Sequence, residues 1–146
     1  MQSKRYGINT IGLVKSEFKG DTGMPFRGVG ARLKIHPRYK AALDGIEKYK
    51  FLWVMCFLHN AERKVLKAIP KKWKRKGIMK ERGVFSMRAP CRPNPISISL
   101  VKLKKVKGLT LFVEKLDVYT GTPVIDIKPF VTEYDSCRHI SKEDNK

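Results

Sequence analysis

Between residues 29 and 36 apolar and polar side chains alternate, Val29, Ala31, Leu33 and Ile35 against Arg32, Lys34 and His36. A period of two buries one face only in a β-strand, where successive side chains point to opposite sides. The same alternation runs from Ile96 to Val106 and from Leu109 to Leu116, and the Lys107-Gly108 pair between them predicts a tight hairpin. Residues Phe51 to Leu58 are apolar on both faces, the pattern of a central strand. Two shorter apolar pieces, Tyr6 to Val14 and Val84 to Met87, bring the expectation to at least six strands. Helical spacing is confined to Tyr39, Leu43 and Ile46 after Pro37, which predicts one or two turns around Arg38 to Gly45. The expected fold is mainly β: a single-domain antiparallel β-barrel or pseudo-barrel with one or two short helices, over residues 1–138, followed by a solvated tail at 139–146.

Charge narrows the partner. Against 13 Asp and Glu stand 32 Lys and Arg, a formal net charge of +19 on 146 residues. Such an excess repels itself, and neutralising a nucleic-acid backbone gives it a favourable use. Ion-pair networks in a hot or salty cell are the other use, but acidic partners are too few for it. Ten cations lie between Glu62 and Arg82, around Trp73, with Pro70 and Gly77 predicted to discourage regular structure. Lys71, Lys72, Lys74, Arg75 and Lys76 are therefore candidate RNA contacts, and Trp73 is either a platform for a splayed base or a plug packed on the barrel.

The longest apolar run, Phe51 to Leu58, is far short of the roughly 20 residues of a membrane span. Met1 to Arg5 leads into alternating residues and not into an apolar signal core, so a cytoplasmic location and no membrane partner are expected. Cys56, Cys91 and Cys137 are widely spaced and form no CxxC pair, so no metal site is expected.

Two clusters carry the chemistry. In Arg88-Ala89-Pro90-Cys91-Arg92-Pro93-Asn94-Pro95 three prolines stiffen the backbone and hold Arg88, Arg92 and Asn94 in set directions, as a small polar ligand requires. In the second, Asp117 to Phe130, Gly121 lets the backbone approach a ligand closely, and Asp126 and Lys128 fall on one face of a strand, opposite Ile125 and Ile127. By residue type that pair is either an acid/base couple or a salt bridge, the salt bridge being the commoner.

With Gly12-Leu13-Val14-Lys15-Ser16, His36-Pro37-Arg38-Tyr39, Leu52-Trp53-Val54 and His59, these clusters give RPNPI at Arg92–Ile96 and GTPxxDIKP at Gly121–Pro129. The chain resembles, over nearly its whole length, the YaeB-like, TsaA-domain family, also called TrmO, whose members methylate N6 of threonylcarbamoyladenosine in tRNA. The resemblance implies a β-barrel methyltransferase, not of the Rossmann type, that uses S-adenosyl-L-methionine and acts on tRNA at position 37, in the anticodon loop, as a homodimer with the cofactor near the subunit interface. It also implies cofactor contacts from Ser16, Glu17 and Phe18, from His59 and Asn60, from Arg88, from the backbone at Ile98, and from Thr120, Gly121, Thr122 and Pro123. Arg92 and Asn94 of the rigid loop join them. In that reading Asp126 accepts or orients the proton of the target nitrogen, Lys128 or Arg92 holds the substrate's carboxylate, and His59 is the alternative base. The chain departs from the family at Glu17, where proline is usual, at Ser97, where glycine is usual, and at Thr120, where aspartate is usual.

Two other readings compete. A non-catalytic RNA-binding module of the translation apparatus accounts for the charge but not for two polar, proline-rich loops. A thiol enzyme would use Cys91 beside Arg92, but Ser97 stands where a CxxxxxR motif needs its arginine. Gly28-Val29-Gly30 begins a dinucleotide-binding fingerprint that Leu33 breaks, and the segment continues as a strand.

Overall fold

The alternating segments close on themselves. In a computed structural model, which describes residues 4, 6–18, 20 and 29–136, the strands are β1 (Gly12–Ser16), β2 (Val29–Ile35), β3 (Phe51–Phe57), β4 (Lys67–Ala68), β5 (Arg82–Gly83), β6 (Ile96–Lys107), β7 (Thr110–Leu116) and β8 (Pro123–Pro129). Six of them form a closed antiparallel barrel in the order β1-β2-β7-β6-β3-β8, and β4 pairs with β5 in a separate ribbon inside the long β3–β6 connection. Two short α-helices accompany them, α1 (Lys71–Arg75) and α2 (Thr132–Asp135).

Every barrel strand sends alternate side chains inward. Leu33, Leu52, Val54, Cys56, Val101, Leu111 and Val124 are fully enclosed, each with polar or half-exposed neighbours before and after it. Removing one such aliphatic side chain from water contributes about 1.5–3 kcal/mol. Closure matters as much, because it leaves no unpaired edge among the six barrel strands. Leu33, where a dinucleotide fingerprint would need glycine, is one of these plugs.

Several segments differ from the pattern their sequence predicts. Val84 to Met87 is not a strand: Val84–Ser86 forms a 3-10 turn whose Val84 is buried while Phe85 is exposed. Of Tyr6 to Val14, only the residues from Gly12 are strand, and Tyr6 and Ile8 are exposed. The basic stretch is irregular over most of its length, as expected, but Lys71–Arg75 form α1 between Pro70, which caps it, and Gly77, at φ +73°, which follows it; both act as helix punctuation. The expected helix after Pro37 is a 3-10 helix, Pro37–Leu43. The hairpin turns at Gly108-Leu109, one residue later than expected, with Gly108 at φ +57°. Cys137 and the tail at 139–146 lie outside the described residues.

Antiparallel register decides which loops meet. Ser16 pairs with Ala31, Val29 with Leu116, and Phe57 with Ile96, so the C-terminal ends of β1, β3 and β7 and the N-terminal ends of β2, β6 and β8 lie at one end of the barrel. The opposite end holds His36 and the β6–β7 turn.

Candidate active site

The loop after β1 and the loop after β7 are tied at that end by a two-way hydrogen bond. The Thr120 hydroxyl accepts from the Ser16 amide at 2.8 Å and donates to the Ser16 carbonyl. The Ser16 hydroxyl in turn accepts from the Phe18 amide at 3.0 Å, and the Phe18 ring lies 5.2 Å from that of Tyr119. Gly121 closes the arrangement: its amide donates to the Val14 carbonyl at 2.8 Å. Its φ of +84° is costly for any other residue, and no atom lies within 4 Å of where a Cβ would stand. Thr122 is buried, with its hydroxyl on the Tyr119 carbonyl at 2.7 Å.

His59 and Asn60 arrive at the same end because β3 stops at Phe57, where the Leu58 amide is captured by the Pro95 carbonyl at 2.7 Å. Both are exposed, and among the described residues neither side chain has a hydrogen-bond partner. Arg88 reaches back from the rigid loop to the Ile98 carbonyl at 3.0 Å, so two positions expected to contact a cofactor contact each other.

Arg92 has a different position from its neighbour. Its guanidinium donates to the carbonyls of Ala89 and Val84, both at 2.8 Å, and to that of Met87, which holds the proline-rich loop in shape. The guanidinium that would have favoured a Cys91 thiolate is therefore committed to main-chain carbonyls. Asn94 is exposed at the tip of this loop, and its carbonyl accepts from the Ile96 amide.

Asp126 and Lys128 form the salt bridge, Nζ to Oδ2 2.7 Å, and Asp126 Oδ1 accepts from the Ile127 amide at 2.9 Å. The expected opposition to both isoleucines holds only for Ile127. Met55 faces Asp126 while Cys56 faces Val124, so Ile125 is an extra, bulged residue. The bulge turns Asp126 and Lys128 to the outer wall of the barrel, in rows with Met55 and Ile98 and with Trp53 and Leu100. Asp117, to which the sequence motifs give no role, accepts from the buried Ser99 hydroxyl at 2.8 Å.

The basic segment sits in the β3–β6 connection. Lys71, Lys72, Lys74, Arg75 and Lys76 are exposed on and just after α1, while Trp73 is half-buried beneath the Arg82 guanidinium, 5.1 Å from its ring centroid. Among the described residues no three His, Cys, Asp or Glu come together as a metal would need, and no helix is long and apolar enough to cross a membrane.

Known proteins with this pattern are consistent with one another. A Methanothermobacter thermautotrophicus protein described as a probable S-adenosyl-L-methionine-binding protein is 41% identical over 140 residues, 93% of this chain and 98% of its own. The human tRNA (adenine(37)-N6)-methyltransferase is 32% identical over 89% of this chain, which spans 31% of that enzyme. The crystal structure of TrmO from Pseudomonas aeruginosa superposes with a TM-score of 0.73 at 27% identity, over 94% of this chain and 61% of that one. The chain thus spans about three-fifths of the solved structure's length. The description tRNA-methyltransferase O N-terminal domain matches residues 13–136, and with that match the chain belongs to the TrmO N-terminal domain family.

Proposed function

We propose that this protein is an S-adenosyl-L-methionine-dependent tRNA methyltransferase of the cytoplasm, modifying N6 of threonylcarbamoyladenosine at position 37 and working as a homodimer. The observation that carries the reading is convergence: Ser16 to Phe18, His59 with Asn60, and Thr120 to Pro123 come from three separate loops to one end of one barrel. A shared RNA-binding role alone has no use for that convergence. The relatives' descriptions as S-adenosyl-L-methionine-binding proteins and tRNA (adenine(37)-N6)-methyltransferases support the same choice.

The residues fit such a cofactor. Gly121 leaves its main chain open to a ligand, and the side chains of His59 and Asn60 have no partner among the described residues. When bound, S-adenosyl-L-methionine supplies a methyl group on a sulfonium as the electrophile. The chain itself must position the target nitrogen and take its proton. Asp126 is suited to that role, because the Ile127 amide and the Lys128 ammonium fix its two oxygens, and Oδ2 receives or orients the N6 proton. Lys128, whose ammonium has donors beyond the one on Asp126, is then the cation for the substrate's carboxylate, because Arg92 is held by the Ala89, Val84 and Met87 carbonyls.

The dimer reading has its own support. On the outer wall beside Asp126, Ile96, Ile98 and Leu100 are 37%, 45% and 38% exposed, next to the half-buried Trp53, Met55 and Phe57. A second copy on this wall would exclude water from the methyl-transfer site. Calorimetric titration with S-adenosyl-L-methionine and S-adenosylhomocysteine tests the cofactor, and methyl incorporation into tRNA with and without the threonylcarbamoyl group tests the substrate. Saturable binding in the micromolar range and incorporation only into the modified tRNA are expected; the absence of both binding and incorporation overturns the proposal.

A further inference from the structure

The far wall of the barrel has the opposite character. Lys105 of β6 pairs with Phe112 of β7, Phe112 with Arg32 of β2, and Arg32 with Lys15 of β1, so the four side chains form one row across four strands. All three cations are exposed, and the Lys105 ammonium lies 4.7 Å from the Phe112 ring centroid. The next row repeats the charge with Lys107 and Lys34 on either side of Thr110. Directly opposed residues stand about 5 Å apart, where like charges destabilise a sheet. Among the described residues neither Lys15 nor Arg32 is in a salt bridge, so Lys15 opposite Arg32 is a repulsion that an anion would relieve.

Beside this row is a depression of about 380 Å³, bounded by Lys15, Arg32 and Phe112 of the wall and by Ser16, Glu17 and Thr120 of the two loops proposed to contact the cofactor, so the hollow adjoins the proposed cofactor site. It exists because Gly30, the next outward position of β2, has no side chain, and a Cβ there would come no nearer to an atom than 4.0 Å. The volume lies in the lower part of the range of small-molecule sites. Cations in a line, an aromatic wall and a hollow between them are the parts of a single-stranded nucleic-acid site: phosphates along the row, one unstacked base in the hollow. A flat anionic membrane has no use for the hollow.

We propose that the β1-β2-β7-β6 wall is a second RNA-binding surface, separate from α1, that holds a single-stranded segment with one base against Phe112 in the Gly30 hollow. It rests on the reading of the substrate as tRNA. The β2 and β7 part of the wall lies across the barrel from β8 and Asp126, whereas the hollow adjoins the loops proposed to hold the cofactor, so one RNA bound along the row reaches the methyl-transfer site around that end of the barrel, or the two walls belong to different copies of a dimer.

The test is fluorescence anisotropy of a labelled tRNA anticodon stem-loop over a salt series. Lys15→Gln with Arg32→Gln is expected to lower affinity about tenfold and to reduce the slope of log affinity against log salt by about 1.4, two phosphate contacts at roughly 0.7 each. Gly30→Val, compatible with a strand, is expected to weaken binding about fivefold with the slope unchanged, because it fills the hollow and moves no charge. The double variant is also expected to melt no lower than the parent, which separates lost contact from lost folding. Parental binding with neither variant altered overturns this surface and leaves the proposed activity standing. No binding by the parent overturns both, as does capture by phosphatidylserine vesicles in place of the stem-loop.

Discussion

Thr120 and Ser16 stand 104 residues apart in the chain and hold each other from both sides, the hydroxyl of one accepting from the amide and donating to the carbonyl of the other. An aspartate at position 120, as is usual in the resembling sequences, could keep the amide bond, but ionised it has no proton for the carbonyl. The threonine therefore serves the scaffold here, joining the loops that follow β1 and β7.

Thr120→Val keeps the shape and removes both bonds. It is expected to cost about 1 kcal/mol of stability, because water replaces part of what is lost at an exposed site. A urea midpoint lowered at constant slope checks it. Calorimetry on the same variant is expected to show S-adenosyl-L-methionine affinity reduced several-fold, as the loops separate.

Asp126→Asn retains an acceptor for the Ile127 amide but loses the charge that holds Lys128. Methyl-transfer turnover is expected to fall at least about tenfold while stem-loop affinity stays within twofold or so. Single-turnover assays with saturating tRNA separate the two, and unchanged turnover removes Asp126 from the chemistry.

Leu100→Asp places a charge in the centre of the exposed apolar wall, next to Trp53. Sedimentation of the parent as a dimer and of the variant as a monomer of unchanged fold is the expected result. A monomeric parent would leave this wall without its proposed occupant.

Burial pushes the Cys56 thiol from 9.0 up to about 12, with the Asp117 charge adding to the rise and a hydrogen bond from Ser97 opposing it. Between those limits the folded chain keeps a proton that the unfolded chain releases, so this stabilisation is complete below about pH 9 and declines as pH rises. The expected slope is about 1.4 kcal/mol lost per pH unit above that point. Cys56→Ala is less stable at neutral pH, from its cavity, but is expected to lose less between about pH 8 and about pH 10, which paired urea titrations measure.

Much of the protein was legible in its sequence. The alternation at Val29–Ile35 and in the strands from Ile96 to Leu116 dictates strands with one buried face, because only a pleated chain separates side chains with period two. The motifs around Arg92–Ile96 and Gly121–Pro129 mark the family, since prolines and glycine at set spacing impose local backbone shapes that few sequences need. Local pattern failed where tertiary contact outweighs it. Val84 to Met87 reads as a strand, but Val84 is a plug on a 3-10 turn, and Pro70 and Gly77 frame a helix where their residue types predict disruption.

What only the tertiary structure decided is partnership and side. Arg92 and Arg88 read alike in a rigid loop, yet one holds the carbonyls of Ala89, Val84 and Met87 and the other the Ile98 carbonyl, because the folded path of the chain from Val84 to Ile98 decides which carbonyls each guanidinium reaches. A single bulged residue, Ile125, sends Asp126 to the outer wall. The antiparallel register brings Ser16, His59 and Gly121 to one end and divides the wall into an apolar half and a cationic half. Sequence periodicity determines which face of each strand is polar; which polar faces become neighbours depends on strand order, and that order is a property of the closed sheet.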